Sequence, residues 1–251
     1  MKSCVIAYSG GVDSTFLIKV AYDILGNNAL AVTATSSTYP KKELQAAKQY
    51  ANTIGIPHIV IRSGELDVKK FTDNPANRCY YCKRELFRKL QAIAKDHRFN
   101  KVLDGSNADD VYDYRPGGKA RAELGVLSPL KQVGLTKQEI RDLSRKLHLK
   151  TSEKPPFACL ASRIPYGTKI TKKRLKQIES AEEYLFSLGI RQCRVRYHET
   201  IVRIEVASSD FQKILRHAAQ IITRFKTLGF TYVTLDLEGY RTGSLNEVLK
   251  P

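Results

Sequence analysis

The stretch AYSGGVDSTF, residues 7–16, constrains the fold of this chain more than any other. It sets Gly10 and Gly11 between an apolar run, Val5-Ile6-Ala7-Tyr8, and a helical pattern that begins near Thr15. A strand ending at Tyr8 and a helix starting near Asp13-Ser14 leave only a tight turn, for which two glycines supply backbone dihedrals closed to other residues. Open N–H groups at the helix start, with the helix dipole, then form a cradle for a dianion such as phosphate. Ser9, Ser14 and Thr15 add hydroxyls. The turn follows neither the Gly-x-x-x-x-Gly-Lys-Ser/Thr nor the Gly-x-Gly-x-x-Gly pattern. It lacks the lysine that would reach a γ-phosphate and the acidic residue that would clamp a ribose.

From Ser3 to about Lys150, short apolar runs alternate with helical periods. Strands are expected at Ser3–Tyr8, Ala29–Thr35, His58–Arg62 and Lys101–Leu103. Helices are expected around Ser14–Leu25, Lys41–Ile54, Tyr80–His97 and Thr136–Leu147. This order predicts an α/β fold, a doubly wound, Rossmann-like parallel sheet with its site beyond the carboxyl ends of the strands. The segment SEKPP, Ser152 to Pro156, breaks the pattern, because prolines end helices and favour extended chain. Beyond it a helix (Lys172–Leu188), strands (Gln192–Arg196, Ile201–Val206), a helix (Phe211–Leu228) and a strand (Tyr232–Leu237) suggest a small α+β unit. The expected division is residues 1–150, a cysteine-bearing linker 151–168, and a substrate or oligomerisation domain 169–251.

Ser9-Gly10-Gly11-Val12-Asp13-Ser14 resembles the pyrophosphate loop (PP-loop) of the adenine-nucleotide α-hydrolase-like ATP pyrophosphatases. The resemblance implies ATP cleaved between its α- and β-phosphates, adenylation of a substrate oxygen, and adenine held against the end of the second strand, around Thr33-Ala34-Thr35. The segment Asp104-Gly105-Ser106-Asn107-Ala108-Asp109-Asp110 falls at the fourth strand's end, where its glycine and carboxylates suit nucleotide and Mg²⁺. The formal charge of +17, from 42 Lys and Arg against 25 Asp and Glu, favours anionic partners.

Five cysteines occur in a chain without a leader layout, and no apolar run is long enough to span a bilayer, so a cytoplasmic location is expected. Disulfides are then not expected. Cys4 and Cys193 lie in or beside apolar strands and read as packed thiols. Cys79 and Cys82, in NRCYYCKRELF, fall at i and i+3 in the first turn of a helix whose apolar positions are Leu86, Leu90 and Ile93. That start, with Arg78, Lys83 and Arg84, favours thiolates. Alone, the pair is compatible with redox chemistry, half a zinc site or part of an iron–sulfur cluster. Cys159, in PFACLASRIPYG, is a third thiol; no second Cys-x-x-Cys completes a four-thiolate zinc site, and the histidines show no ligand spacing. Three thiols suit a [4Fe–4S] cluster with one iron left open.

Taken together, the pyrophosphate turn, NPANRCYYCKRELF, ACLASRIPYG and LDLEGYRTGSLNE resemble the LarE family over essentially the whole chain. The resemblance implies an ATP-dependent sulfur transferase of nickel-pincer nucleotide synthesis. Such enzymes adenylate a carboxylate of pyridinium-3,5-biscarboxylic acid mononucleotide and convert it to a thiocarboxylate. In some members the cysteine at the position of Cys159 gives up its own sulfur and becomes dehydroalanine. In others three cysteines hold a [4Fe–4S] cluster that delivers sulfide. Cys79, Cys82 and Cys159 fit the second pattern, with a separate sulfur donor system to reload the cluster. Arg163, four residues past Cys159, is expected to act at the substrate; Arg194 and Arg196, alternating on one strand face, are candidates for its phosphate, and Arg241 is a further one. Competing readings are a tRNA thiolation enzyme with a similar cluster, an ammonia-using NAD or GMP synthetase, and a nucleotide-binding scaffold. A homo-oligomer without membrane contact is expected.

Overall fold

In the computed structural model, residues 1–111, 116–156 and 158–249 are described. In chain order the main elements are β1 (Cys4–Ala7), α1 (Val12–Leu25), β2 (Ala29–Thr35), α2 (Lys41–Ile54), β3 (His58–Arg62) and the short α3 (Lys69–Thr72). Then come α4 (Arg78–Asp96), β4 (Lys101–Leu103), α5 (Gly117–Glu123), α6 (Pro129–Gln132) and α7 (Lys137–Lys146). They are followed by α8 (Lys172–Ser187), β5 (Cys193–His198), β6 (Ile201–Val206), α9 (Phe211–Arg216), α10 (Ala218–Thr227) and β7 (Tyr232–Leu235).

The chain divides into two compact units, Met1–Phe71 with Asn77–Phe157, and Thr72–Ala76 with Ala158–Pro251. In the first unit four parallel strands run in the order β3-β2-β1-β4. Alternation along β1 assigns its residues to opposite faces. Cys4 and Ile6 join Phe16, Leu17, Ala47, Leu130 and Ile140 in one core. Val5 joins Leu30, Val32, Phe87, Leu90 and Val102 in the other. Helices thus cover both faces of the sheet, as the alternating pattern requires. Beyond β4 a further parallel bridge pairs Leu103 with Leu127.

In the second unit β5 and β6 pair antiparallel and β7 joins β6 in parallel, giving the order β5-β6-β7. The helix expected over Phe211–Leu228 is two helices, interrupted at His217, whose backbone (φ −99°, ψ 13°) leaves the helical region. Neither proline nor glycine stands there to signal the break. Asn74, from the short stretch that the second unit draws out of the first half of the sequence, is fully buried and holds a left-handed φ of 57°. Its amide donates to the carbonyls of Ile164 (3.2 Å), Pro165 (2.7 Å) and Thr168 (3.0 Å), tying that stretch into the unit.

The turn between β1 and α1 requires glycine at one position, not two. Gly10 has a φ of +66°, and a Cβ there would lie 2.9 Å from the Ala47 Cβ of α2. Gly11 adopts ordinary extended angles (φ −80°, ψ 169°) as the residue that precedes α1. Gly10→Ala therefore meets both backbone strain and overlap, and we expect a loss of about 1–3 kcal/mol, measured as a lower urea midpoint at unchanged slope.

Candidate active site

In the first unit, side chains remote in sequence converge on the turn. Ser9 and Ser14 hydroxyls lie 3.1 Å apart, and Ser14 Oγ donates to the Gly11 carbonyl at 3.3 Å, which fixes the mouth of α1. Tyr39 donates its hydroxyl to the Ser9 carbonyl at 2.7 Å. Gly105, following β4, approaches so closely that a Cβ would sit 3.0 Å from the backbone nitrogen of Ser14. The helix start is thereby packed between strand ends, with its polar groups turned toward the edge where a phosphate would sit.

Two lysines complete the turn, and no local pattern in the sequence announced either. Lys154, in the SEKPP segment, donates to the Gly10 carbonyl at 2.9 Å and pairs with Glu43 at 2.6 Å. Lys137, the first residue of α7, pairs with Asp13 at 2.6 Å. The charge absent from the loop sequence is thus supplied in three dimensions, and a polyphosphate arriving there competes with Asp13 and Glu43 for the ammonium groups.

At the other strand ends, Thr33 is fully enclosed and its hydroxyl meets His58 Nε2 at 2.9 Å, so only its backbone and the half-exposed Ala34 face outward. Burial, and then the charge of Lys48, lower the His58 pKa. The acidic segment after β4 is largely engaged in its own geometry. Asp104 accepts from Ser128 at 2.5 Å and from the Ser106 hydroxyl at 2.9 Å, while Asp109 accepts the Lys137 backbone N–H at 2.8 Å. These carboxylates shape the loop that presses Gly105 against α1.

Cys79 is exposed and Cys82 partly so; α4 begins at Arg78, which puts Cys79 in its first turn and Cys82 at the start of its second. Cys159 is partly exposed and belongs to the second unit. Cys4 and Cys193 are buried, and burial pushes the Cys4 thiol up to about 11, which suits a packed, unreactive group. Among the described residues, no cluster of three or more His, Cys, Asp or Glu side chains is gathered as for a metal ion.

The loop that carries Cys159 is braced from inside the second unit. Arg163 is 1% exposed. It donates from Nε to Glu182 at 2.8 Å and from Nη2 to the same carboxylate at 3.1 Å. Its Nη1 donates to the carbonyls of Ala158 (2.7 Å) and Cys159 (3.1 Å) and to the Ser162 hydroxyl (2.9 Å). Burial by itself would lower the Arg163 pKa; the Glu182 charge and hydrogen bonds, with smaller contributions from Cys159 and Cys193, raise it instead. The expected position at the substrate gives way to an internal one: Arg163 holds the cysteine loop.

Arg196 is built in the same way. It forms a bidentate pair with Glu205 (2.9 and 2.8 Å) and donates to the Ser162 carbonyl (2.7 Å) and the Ser244 hydroxyl (2.6 Å). Arg194 shares its strand face, donates to the Cys193 carbonyl at 2.8 Å and lies over the Tyr240 ring at 5.0 Å. Burial, and then the charge of Arg163, lower the Arg194 pKa. Arg241 pairs with Glu247 at 3.1 Å and Glu238 at 3.0 Å.

Comparison with known proteins gives this arrangement its context. The NAD synthase family profile matches residues 1–78, which contain the turn. The chain is 46% identical to an uncharacterized protein of Synechocystis sp. over 99% of its own length and 94% of that protein's. It is 36% identical to pyridinium-3,5-bisthiocarboxylic acid mononucleotide synthase of Lactiplantibacillus plantarum, covering 99% of this chain and 91% of that enzyme. The chain belongs to that synthase family, the LarE family. A more distant likeness, 25% identity to a glutamine-hydrolyzing GMP synthase polypeptide of Saccharolobus islandicus, covers 70% of this chain and 53% of that protein.

LarE membership agrees with the resemblance drawn from the sequence, and the α/β first unit agrees with the fold it implied. Lys137, Lys154, Glu182 and Glu205 are the candidate residues around the turn and the cysteine loop that sequence reasoning missed. Each works through a partner at least nine positions away, so no local motif contained it. Removing one member of a buried ion pair strands the other, at about 3–5 kcal/mol. Arg163→Ala is expected to cost that much in thermal unfolding. Arg163→Lys, which keeps the charge but not the planar fork, should recover only part of it.

Proposed function

We propose that this LarE-family protein is an ATP-dependent sulfur transferase that makes a thiocarboxylate on a pyridinium carboxylic acid mononucleotide. The observation that carries the reading is the full-length similarity to a synthase of pyridinium-3,5-bisthiocarboxylic acid mononucleotide. The phosphate turn and its two lysines support it independently. In the first half-reaction ATP occupies the turn through Ser9, Gly10, Gly11, Asp13 and Ser14, with its base against the end of β2 at Thr33 and Ala34 and with Gly105 beneath. A substrate carboxylate oxygen attacks the α-phosphorus, the bond to the bridging oxygen breaks, and pyrophosphate leaves. Lys137 and Lys154 oppose the growing charge on the leaving group, so catalysis is positioning and electrostatic stabilisation. In the second half-reaction a sulfur nucleophile attacks the acyl-adenylate carbonyl and AMP departs.

Two sources of that sulfur are compatible with the cysteines present. Cys79, Cys82 and Cys159 are the three thiols with solvent access, while Cys4 and Cys193 are sealed, so the accessible donor set suits a three-thiolate [4Fe–4S] cluster. When bound, such a cluster supplies a transferable sulfide. Mg²⁺ would accompany the nucleotide, with the Asp104–Asp110 segment after β4 proposed to supply its carboxylates. In the second route the Cys159 thiolate attacks the acyl-adenylate itself. The resulting thioester loses its Cα proton, the Cβ–Sγ bond breaks, the thiocarboxylate departs, and dehydroalanine remains. The backbone braces on Cys159 from Arg163 serve either route. Arg194 remains the proposed anchor for the substrate phosphate, whereas Arg196, expected beside it, is committed to Glu205, Ser162 and Ser244.

Pyrophosphate release dependent on the biscarboxylic mononucleotide, and absent with tRNA or ammonia, is the expected result. Dependence on tRNA would instead assign the thiolation reading, which the excess positive charge favours. Protein mass after turnover separates the sulfur routes: an unchanged mass through many turnovers supports delivered sulfide, and loss of one H₂S from the Cys159 peptide supports sacrifice. Lys154→Ala is expected to lower kcat/KM for ATP by about tenfold or more in the pyrophosphate assay, with unfolding temperature the control for structure.

A further inference from the structure

We propose that Glu65 is the acceptor that reads the nucleoside portion of the nucleotide, through a ribose hydroxyl or the exocyclic amine of the base. The inference rests on the β1–α1 turn being a nucleotide phosphate site and adds to it a group that discriminates among nucleotides. Glu65 opens a short turn, Glu65–Asp67, just beyond β3 at the carboxyl edge of the sheet. It is 1% exposed. Its Oε1 accepts from the Ser36 hydroxyl and from Thr38 Oγ1, the latter at 2.7 Å, both on the turn that leaves β2. Thr38 in turn donates its backbone N–H to Ser36 Oγ at 3.0 Å, so both hydroxyls are oriented.

The second carboxylate oxygen, Oε2, is buried and has no hydrogen-bond partner among the described residues. A carboxylate accepts at both oxygens, and enclosing one without a donor is costly. This deficit lies at the carboxyl ends of β2 and β3. In an open parallel sheet those ends border the nucleoside when the phosphates sit at the turn after β1. The side chain nearest the expected base, Thr33, is already committed to His58. From the other side the segment is fixed by Glu85 of α4, which accepts from the Gly64 backbone at 2.8 Å and the Ser63 hydroxyl at 3.0 Å. Glu65 is therefore held in place, oriented by two hydroxyls and short of one donor. A nucleoside donor supplies it when the 36–38 turn yields to the ligand.

Calorimetric titration of the full chain with Mg·ATP, Mg·2′-deoxy-ATP, Mg·ITP and inorganic pyrophosphate tests this. Wild type should favour ATP by about tenfold or more over one analogue. A penalty on 2′-deoxy-ATP assigns the ribose hydroxyl, and a penalty on ITP assigns the exocyclic amine. Glu65→Gln turns an amide donor toward the site, and Glu65→Asp withdraws the oxygen by one methylene. Both should weaken ATP to the level of the penalised analogue and leave pyrophosphate binding unchanged. Equal ATP, 2′-deoxy-ATP and ITP binding by wild type overturns the proposal. So does a wild-type preference that survives in both variants, or an equal loss for all four ligands, which marks a structural carboxylate only. Failure of wild type to bind ATP or pyrophosphate at all would instead overturn the phosphate-site reading beneath it.

Discussion

The start of α1 is the point on which the first unit depends. Within residues 9–14, five segments far apart in sequence meet one turn of backbone. Ala47 of α2 closes on Gly10, Gly105 closes on Ser14, Tyr39 holds the Ser9 carbonyl, Lys154 holds the Gly10 carbonyl, and Lys137 pairs with Asp13. A phosphate cradle at a helix N-terminus needs its N–H groups to be rigid and uncovered on one side only. Packing against small residues on the inner side achieves the first condition. Holding the carbonyls with donors from elsewhere achieves the second, because the chain's acceptors are turned away from an arriving anion.

The second unit solves a different positional problem with buried charge. Arg163–Glu182 and Arg196–Glu205 are enclosed ion pairs, an arrangement that apolar residues often replace without loss of stability. Their value here lies in geometry. Each arginine has one edge locked by a carboxylate and another that donates to backbone between residues 158 and 162. Glu182 also accepts the Val195 backbone N–H at 3.1 Å, so β5, α8 and the cysteine loop share one network. A hydrophobic pair of equal volume would fill the space and leave the loop carbonyls without donors.

What the sequence revealed follows from the range of the interactions involved. The bounds of β2, β3, β4, β6 and α2 could be read residue by residue, because apolar runs and helical periods are local. The phosphate turn was legible because glycine next to a strand end has few other uses. Gly11 was misjudged, since the sequence could not say which glycine carried the positive φ. The interruption at His217 was invisible, because α9 and α10 both keep helical spacing up to it. Most instructive were the arginines of the second unit. Their alternation correctly put Arg194 and Arg196 on one strand face, yet could not tell an inward face from one that meets ligand. The carboxylates that capture Arg163 and Arg196, Glu182 and Glu205, lie on other elements.

That same burial bears on how one scaffold could serve two sulfur chemistries. Arg163 engages the carbonyls of Ala158 and Cys159 and the hydroxyl of Ser162, and none of those bonds uses the Cys159 sulfur. Loop conformation is thus set by backbone acceptors, while the thiol is left for chemistry. A scaffold of this kind tolerates a cysteine that surrenders its sulfur as readily as one that serves as a ligand. In the proposed scheme, what separates the two routes is the pair Cys79 and Cys82 at the start of α4. Cys79 is exposed and Cys82 partly so, and the buried residues of α4 are Arg78, Phe87, Leu90 and Ala94. Two thiols about one helical turn apart there are the groups on which the proposed delivered-sulfide route calls.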